Sequence, residues 1–104
     1  MKIKSIINRE GELQESKVEL KLEVGYGDKG KQVVQNLMML IELLKGMETT
    51  EEVLIHFGTI YGYILCCENL GVLTEKSAGE LAEVVKKLAD IKLARAKEAE
   101  KGSD

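Results

Sequence analysis

Apolar and polar positions alternate from Lys17 to Tyr26. Val18, Leu20, Leu22, Val24 and Tyr26 fall on one side of an extended chain, and Lys17, Glu19, Lys21 and Glu23 on the other. A period of two predicts a half-buried strand. A shorter candidate runs from Lys2 to Ile7, and the polar stretch Asn8–Ser16 around Gly11 turns the chain back between the two. Residues 1–27 therefore read as an antiparallel β-hairpin. Two strands alone are marginal in water, so their apolar face calls for a helical cover or another chain.

Downstream the period changes to that of helices. Between 31 and 45, Val33, Val34, Leu37, Met38, Met39, Leu40, Ile41, Leu43 and Leu44 are interrupted only by Gln35, Asn36 and Glu42, and Gly46 is placed to stop the helix. Thr49-Thr50-Glu51-Glu52 reads as a capping box that opens a second helix over 49–70. On it, Val53, Phe57, Ile60 and Ile64 form a core face, while Glu52, His56, Thr59 and Tyr63 form a polar stripe. Gly71 ends it. Ser77-Ala78-Gly79-Glu80 is a further capping box, with Thr74 as an earlier start, and Leu81, Val84, Val85, Leu88 and Ile91 make the apolar stripe of a third helix over 74–101. Beyond Lys92 the run LARAKEAEK has few large apolar residues and is expected to project from the body, fraying over 102–104. The expected fold is α+β, one domain over residues 1–104 in the order ββααα.

At 104 residues there is room for one core. The net charge is −3, which favours neither nucleic acid nor an anionic membrane as a partner. The charge is unevenly spread: residues 32–73 hold Lys45 as their single basic residue against Glu42, Glu48, Glu51, Glu52 and Glu68. A partner on that section would present basic rather than acidic side chains. No Asp, Glu, Lys or Arg occurs from Val53 to Cys67, yet this stretch is shorter than the ~20 residues of a membrane span. The charged start MKIKSIINREGE lacks the apolar segment of an export signal, and a cytoplasmic location is expected.

Candidate chemistry is sparse. Adjacent cysteines on a helix point about 100° apart, so Cys66 and Cys67 are expected to pack as thiols rather than to bond to each other. With His56 the sole histidine, no metal site is expected. His56 lies four residues after Glu52, a surface pairing, and has no neighbouring nucleophile that would make it catalytic. No catalytic residue and no cofactor is assigned.

Gly25, Gly27 and Gly30 have the spacing G-x-G-x-x-G between a strand pattern and a helix pattern. Two readings stay open. One is a tight corner in which Asp28 caps the helix. The other is an anion site formed by Gly27, Asp28, Lys29, Gly30 and Lys31, whose backbone N–H groups would hold the phosphate of a nucleotide or cyclic nucleotide. The second parallel strand of a dinucleotide fold is missing, and Gln32 stands where a Walker loop needs Ser or Thr.

Gly58 and Gly62 sit four apart inside the second helix, each costing about 1 kcal/mol against alanine. Close packing within the monomer would offset that. So would an interface formed by Gly58, Gly62 and Cys66 together with Val34, Met38 and Met39. The apolar surface of the first two helices favours a homodimer or higher homo-oligomer.

The stretch IYGYILCCENLGVLTEKSAGELAEVVKKL, residues 60–88, resembles the helix–Gly–capped-helix segments of small orphan proteins of phages and mobile elements of Gram-positive bacteria. That resemblance implies a protein that binds and inhibits host or defence machinery, or one that sequesters a signalling nucleotide. The leading expectation is a non-enzymatic interaction protein. The alternatives are nucleotide binding at the glycine loop and a DNA-binding regulator using Lys86–Lys97, against which Asp90 and Glu98 weigh.

Overall fold

The computed structural model describes residues 2–4 and 19–102. Its body consists of three helices: α1 (Gly27–Lys45), α2 (Thr50–Asn69) and α3 (Glu75–Gly102). Before them, β1 (Lys2–Lys4) pairs antiparallel with β2 (Glu19–Lys21), Ile3 opposite Leu20. Three residues a side do not make a layer. The fold is an all-helical bundle, which corrects the expected α+β class. The turn expected over Asn8–Ser16 and the tail residues 103–104 lie outside the described residues.

Beyond Lys21 the alternating segment does not continue as a strand. Leu22 is buried and Val24 half-buried, whereas Tyr26 is exposed with a left-handed backbone at φ 63°. After β2 the chain makes one isolated bridge, Val24 to Leu73, against the α2–α3 connection. The Glu23 N–H donates to Ser77 Oγ at 2.8 Å, and Gly25 N–H to the Val72 carbonyl at 2.8 Å. Two apolar side chains and two hydrogen bonds tie the segment to the closed end of the α2–α3 hairpin.

Each helix buries one stripe. Val34, Leu37, Ile41 and Leu44 of α1 meet Val53, Ile60, Ile64 and Cys67 of α2 and Ala78, Leu81, Val85, Leu88 and Ala89 of α3 in one core, with Leu22, Val72 and Leu73 closing its end. The spacings of three and four repeat on all three, as helix packing requires. The most extensive contact is between α2 and α3. A large buried side chain contributes about 1.5–3 kcal/mol relative to leaving it in water.

The helix ends depart from expectation in several places. α1 begins at Gly27, so Asp28 lies in the first turn, not at the cap; Tyr26 occupies the cap without a side-chain bond. At α2, Thr49 Oγ1 accepts from the Glu52 N–H at 3.1 Å and donates to the Glu52 carboxylate at 2.9 Å. At α3, Thr74 is the cap: its hydroxyl accepts from Ser77 N–H at 3.2 Å. Ser77 is free to face inward and take the bond from Glu23.

The last turns of α3 do not project away. Glu100 reaches the first turn of α2, where its carboxylate oxygens accept from Thr50 N–H and Thr50 Oγ1, each at 3.1 Å. An anionic side chain there satisfies an otherwise unpaired helix N–H and complements the helix dipole.

Replacing Glu100 by Ala is expected to cost about 1 kcal/mol. For a domain of this size that lowers the melting temperature by roughly 4–8 °C. Thermal unfolding followed by circular dichroism checks it, and a melting temperature equal to that of the parent chain refutes the clamp.

Candidate functional site

At 100° per residue, the core face of α2 (Val53, Ile60, Ile64, Cys67) leaves the opposite side to Leu54, Ile55, Gly58, Tyr61, Gly62, Leu65 and Cys66, all exposed. Because the helix carries no Asp, Glu, Lys or Arg between Val53 and Cys67, this outward face is uncharged for more than three turns. Leu54 is 53% exposed and Ile55 60%, and Phe57 and Tyr61 pair with ring centroids 5.9 Å apart along its edge. An isolated exposed leucine is ordinary; a contiguous apolar helix face is not.

Geometry explains why neither neighbouring helix covers it. α1 and α3 both lie on the core side of α2, and Tyr63, whose hydroxyl donates to the Val33 carbonyl at 3.2 Å, marks the α1 edge. Next to that edge lies an open cleft of about 460 Å³ lined by Val33, Thr59, Gly62, Tyr63, Cys66 and Leu70, among others. Its hydroxyls are already engaged: Thr59 Oγ1 donates to the Ile55 carbonyl at 3.1 Å, and Tyr63 to Val33. The cleft therefore presents a mainly apolar lining.

Of the residues expected at an interface, Gly58, Gly62 and Cys66 lie together on this face, and Gly62 and Cys66 also line the cleft. A Cβ built on Gly58 or Gly62 meets nothing within 4 Å, so neither glycine is required by packing inside the chain. Val34 is removed from the set: it is fully buried in the core. Met38 is half-buried, and Met39 is 65% exposed on α1. Sequence reasoning missed Leu54, Ile55, Tyr61 and Leu65. The signal was present in the uncharged run 53–67, but periodicity alone does not say which side of an all-apolar helix is covered.

The glycine loop has a different explanation. A Cβ on Gly30 would lie 1.7 Å from the Gly25 carbonyl oxygen, and one on Gly25 would lie 2.7 Å from that of Gly71. Gly27 has φ 56°, a left-handed conformation. Two of the three glycines are thus demanded by backbone-on-backbone contact, and Gly30 N–H already donates to the Tyr26 carbonyl at 3.2 Å. Asp28, Lys29 and Lys31 are exposed beside the corner.

The thiols differ. Cys66 is exposed and Cys67 buried. Burial, and next to it the neighbouring Cys66, pushes the Cys67 thiol up from its ordinary value. Among the described residues no three His, Cys, Asp or Glu side chains gather as a metal would require. None of the described helices is long and apolar enough to cross a membrane.

Two expectations follow. Gly58→Ala and Gly62→Ala should each raise the stability of the isolated chain by about 1 kcal/mol in urea titrations, while Gly30→Ala should lower it by more than that. Cys66 should react with a maleimide well before Cys67. Since the raised thiol holds its proton longer in the folded state than in the unfolded one, Cys67 stabilises the fold at neutral pH, and this contribution is lost as pH climbs past the ordinary thiol range. Urea midpoints that do not fall between pH 7.5 and 10 more than those of Cys67→Ala count against it.

No protein-family model matches the chain, and neither curated proteins nor solved structures give a significant match.

Proposed function

We propose that the chain is a non-enzymatic interaction protein that docks another polypeptide on the outward face of α2. One observation carries this reading: on the uncharged face, Leu54, Ile55, Tyr61 and Leu65 are exposed, and α1 and α3 both lie on the other side of α2. Covering four such side chains offsets a large part of the cost of association, at about 25 cal/mol per Å² of apolar surface removed from water. Glu51 and Glu52 at one end of α2 and Glu68 at the other favour a partner with basic residues at its rim. The resemblance of residues 60–88 to small phage and mobile-element proteins of Gram-positive bacteria makes a host or defence protein the target class, with inhibition by binding as the mode of action.

Nucleotide binding at the Gly25–Gly30 corner is the less supported reading, because close packing already accounts for Gly25 and Gly30.

Capture from a Gram-positive lysate, run in parallel with the parent chain and a Leu65→Glu variant, tests the docking reading. The expected result is a host protein retained by the parent and lost by the variant while the variant's helical content is unchanged. Identical captures refute it. Thermal-shift screening against nucleotides tests the other reading: a ligand at a hundredfold its Kd would add about 2.7 kcal/mol of stability, and the expected result here is no shift.

A further inference from the structure

The outward face of α2 has an internal symmetry that names its occupant. Glu51, Ile55, Gly58, Gly62, Leu65 and Asn69 follow one another at spacings of four, three, four, three and four, and all six are exposed. Such a run averages 3.6 residues per turn, the α-helix's own period, so the six positions keep to one straight stripe along α2. It reads the same in both directions about the level of residue 60: Glu51 mirrors Asn69, Ile55 mirrors Leu65, and Gly58 mirrors Gly62.

We propose that a second copy of this chain seats on that face, α2 against α2 in antiparallel orientation, related by a two-fold axis at the level of residue 60. The proposal rests on the reading of this face as a docking surface: the second copy holds the face in the free protein, and a host protein that docks there displaces it.

The mirrored positions are chemically matched. At the axis, Gly58 meets Gly62 of the other copy, so no side chain keeps the two backbones apart; this gives a purpose to two glycines that the fold of one chain does not need. One layer out, Ile55 packs on the other copy's Leu65. At each end, the Glu51 carboxylate meets the Asn69 amide, which can donate to it, whereas a parallel pairing would set Glu51 against Glu51. The flanks follow the same operator: Tyr61 approaches Tyr61, and Thr59 approaches Thr59, across the axis. An isologous contact of this kind is closed and produces a dimer, not a fibre. Leu54, Tyr61, Cys66 and Leu70, all exposed, lie at the margins of the face.

Sedimentation equilibrium from 1 to 100 µM tests the stoichiometry. The expected result is twice the chain mass for the parent, and a dissociation constant raised at least tenfold by Gly62→Leu. Because the Cβ at this position enters open space in the single chain, the variant should remain folded by circular dichroism; Gly58→Leu repeats the test on the mirrored glycine.

Spin labels test the orientation. On Cys66 the two labels should lie ~18 Å apart along the helix axis, whereas on Thr59→Cys in a Cys66→Ser background they should lie only ~3 Å apart along it and broaden the spectrum strongly, at 1.5 Å rise per residue. Equal separations at the two positions overturn the antiparallel pairing, and a dimer indifferent to both leucines overturns the interface. A monomer at 100 µM whose lysate partner is still lost with Leu65→Glu overturns the second copy and leaves the docking reading standing. A monomer whose captures ignore Leu65→Glu overturns both.

Discussion

In a three-helix bundle each helix has two neighbours, both on the same side of it. That limit governs this chain, because its middle helix carries apolar side chains well beyond the stripe that its two neighbours cover. α1 and α3 cover Val53, Ile60, Ile64 and Cys67, and among the described residues no third element covers Leu54, Ile55, Tyr61 and Leu65. Polar residues there would have cost nothing in the core. Their absence is therefore a property of the surface, and a surface with that composition is at rest only when something covers it.

The glycines sort by the same logic. Gly25 and Gly30 stand where the strand segment crosses the α2–α3 connection, at distances that leave no space for a methyl group between backbones, and Gly71 beside them has a left-handed φ of 80°. Gly58 and Gly62 face open space. Glycine inside a helix loses more backbone freedom on folding than alanine does. In the corner that cost is offset within the chain, whereas on α2 it is offset only by a contact outside it.

Much of the helical body was legible in the sequence, because spacings of three and four among Val34, Leu37, Ile41 and Leu44, or among Leu81, Val85 and Leu88, follow directly from a helix with one covered face. The fold class was not. Alternation over Lys17–Tyr26 records only that one side of an extended segment is apolar; it does not record how much of that segment pairs, and among the described residues Glu19–Lys21 pairs with β1 while Val24 alone bridges Leu73. For α3 the sequence left Thr74 and Ser77 as alternative starts, because both precede helical sequence, and tertiary contact decided for Thr74: Ser77 is held by the Glu23 backbone from another part of the chain. At the candidate site, the glycines and Cys66 were readable from their spacing. Val34 was misplaced, since a helix with apolar residues at 33, 34, 37, 38, 39, 40 and 41 does not reveal its covered side until its neighbours are known.

The bond from Glu100 to Thr50 joins residues fifty positions apart and spans almost the whole helical body. During synthesis, α1 and α2 emerge well before their clamp does. Until residue 100 has left the ribosome, the first turn of α2 lacks its anionic partner and the long apolar helix lacks the far end of α3. The nascent chain must then carry its most adhesive segment incompletely enclosed for some seconds, at typical rates of about 5–20 residues per second. That interval makes neighbouring chains on one polysome natural first acquaintances.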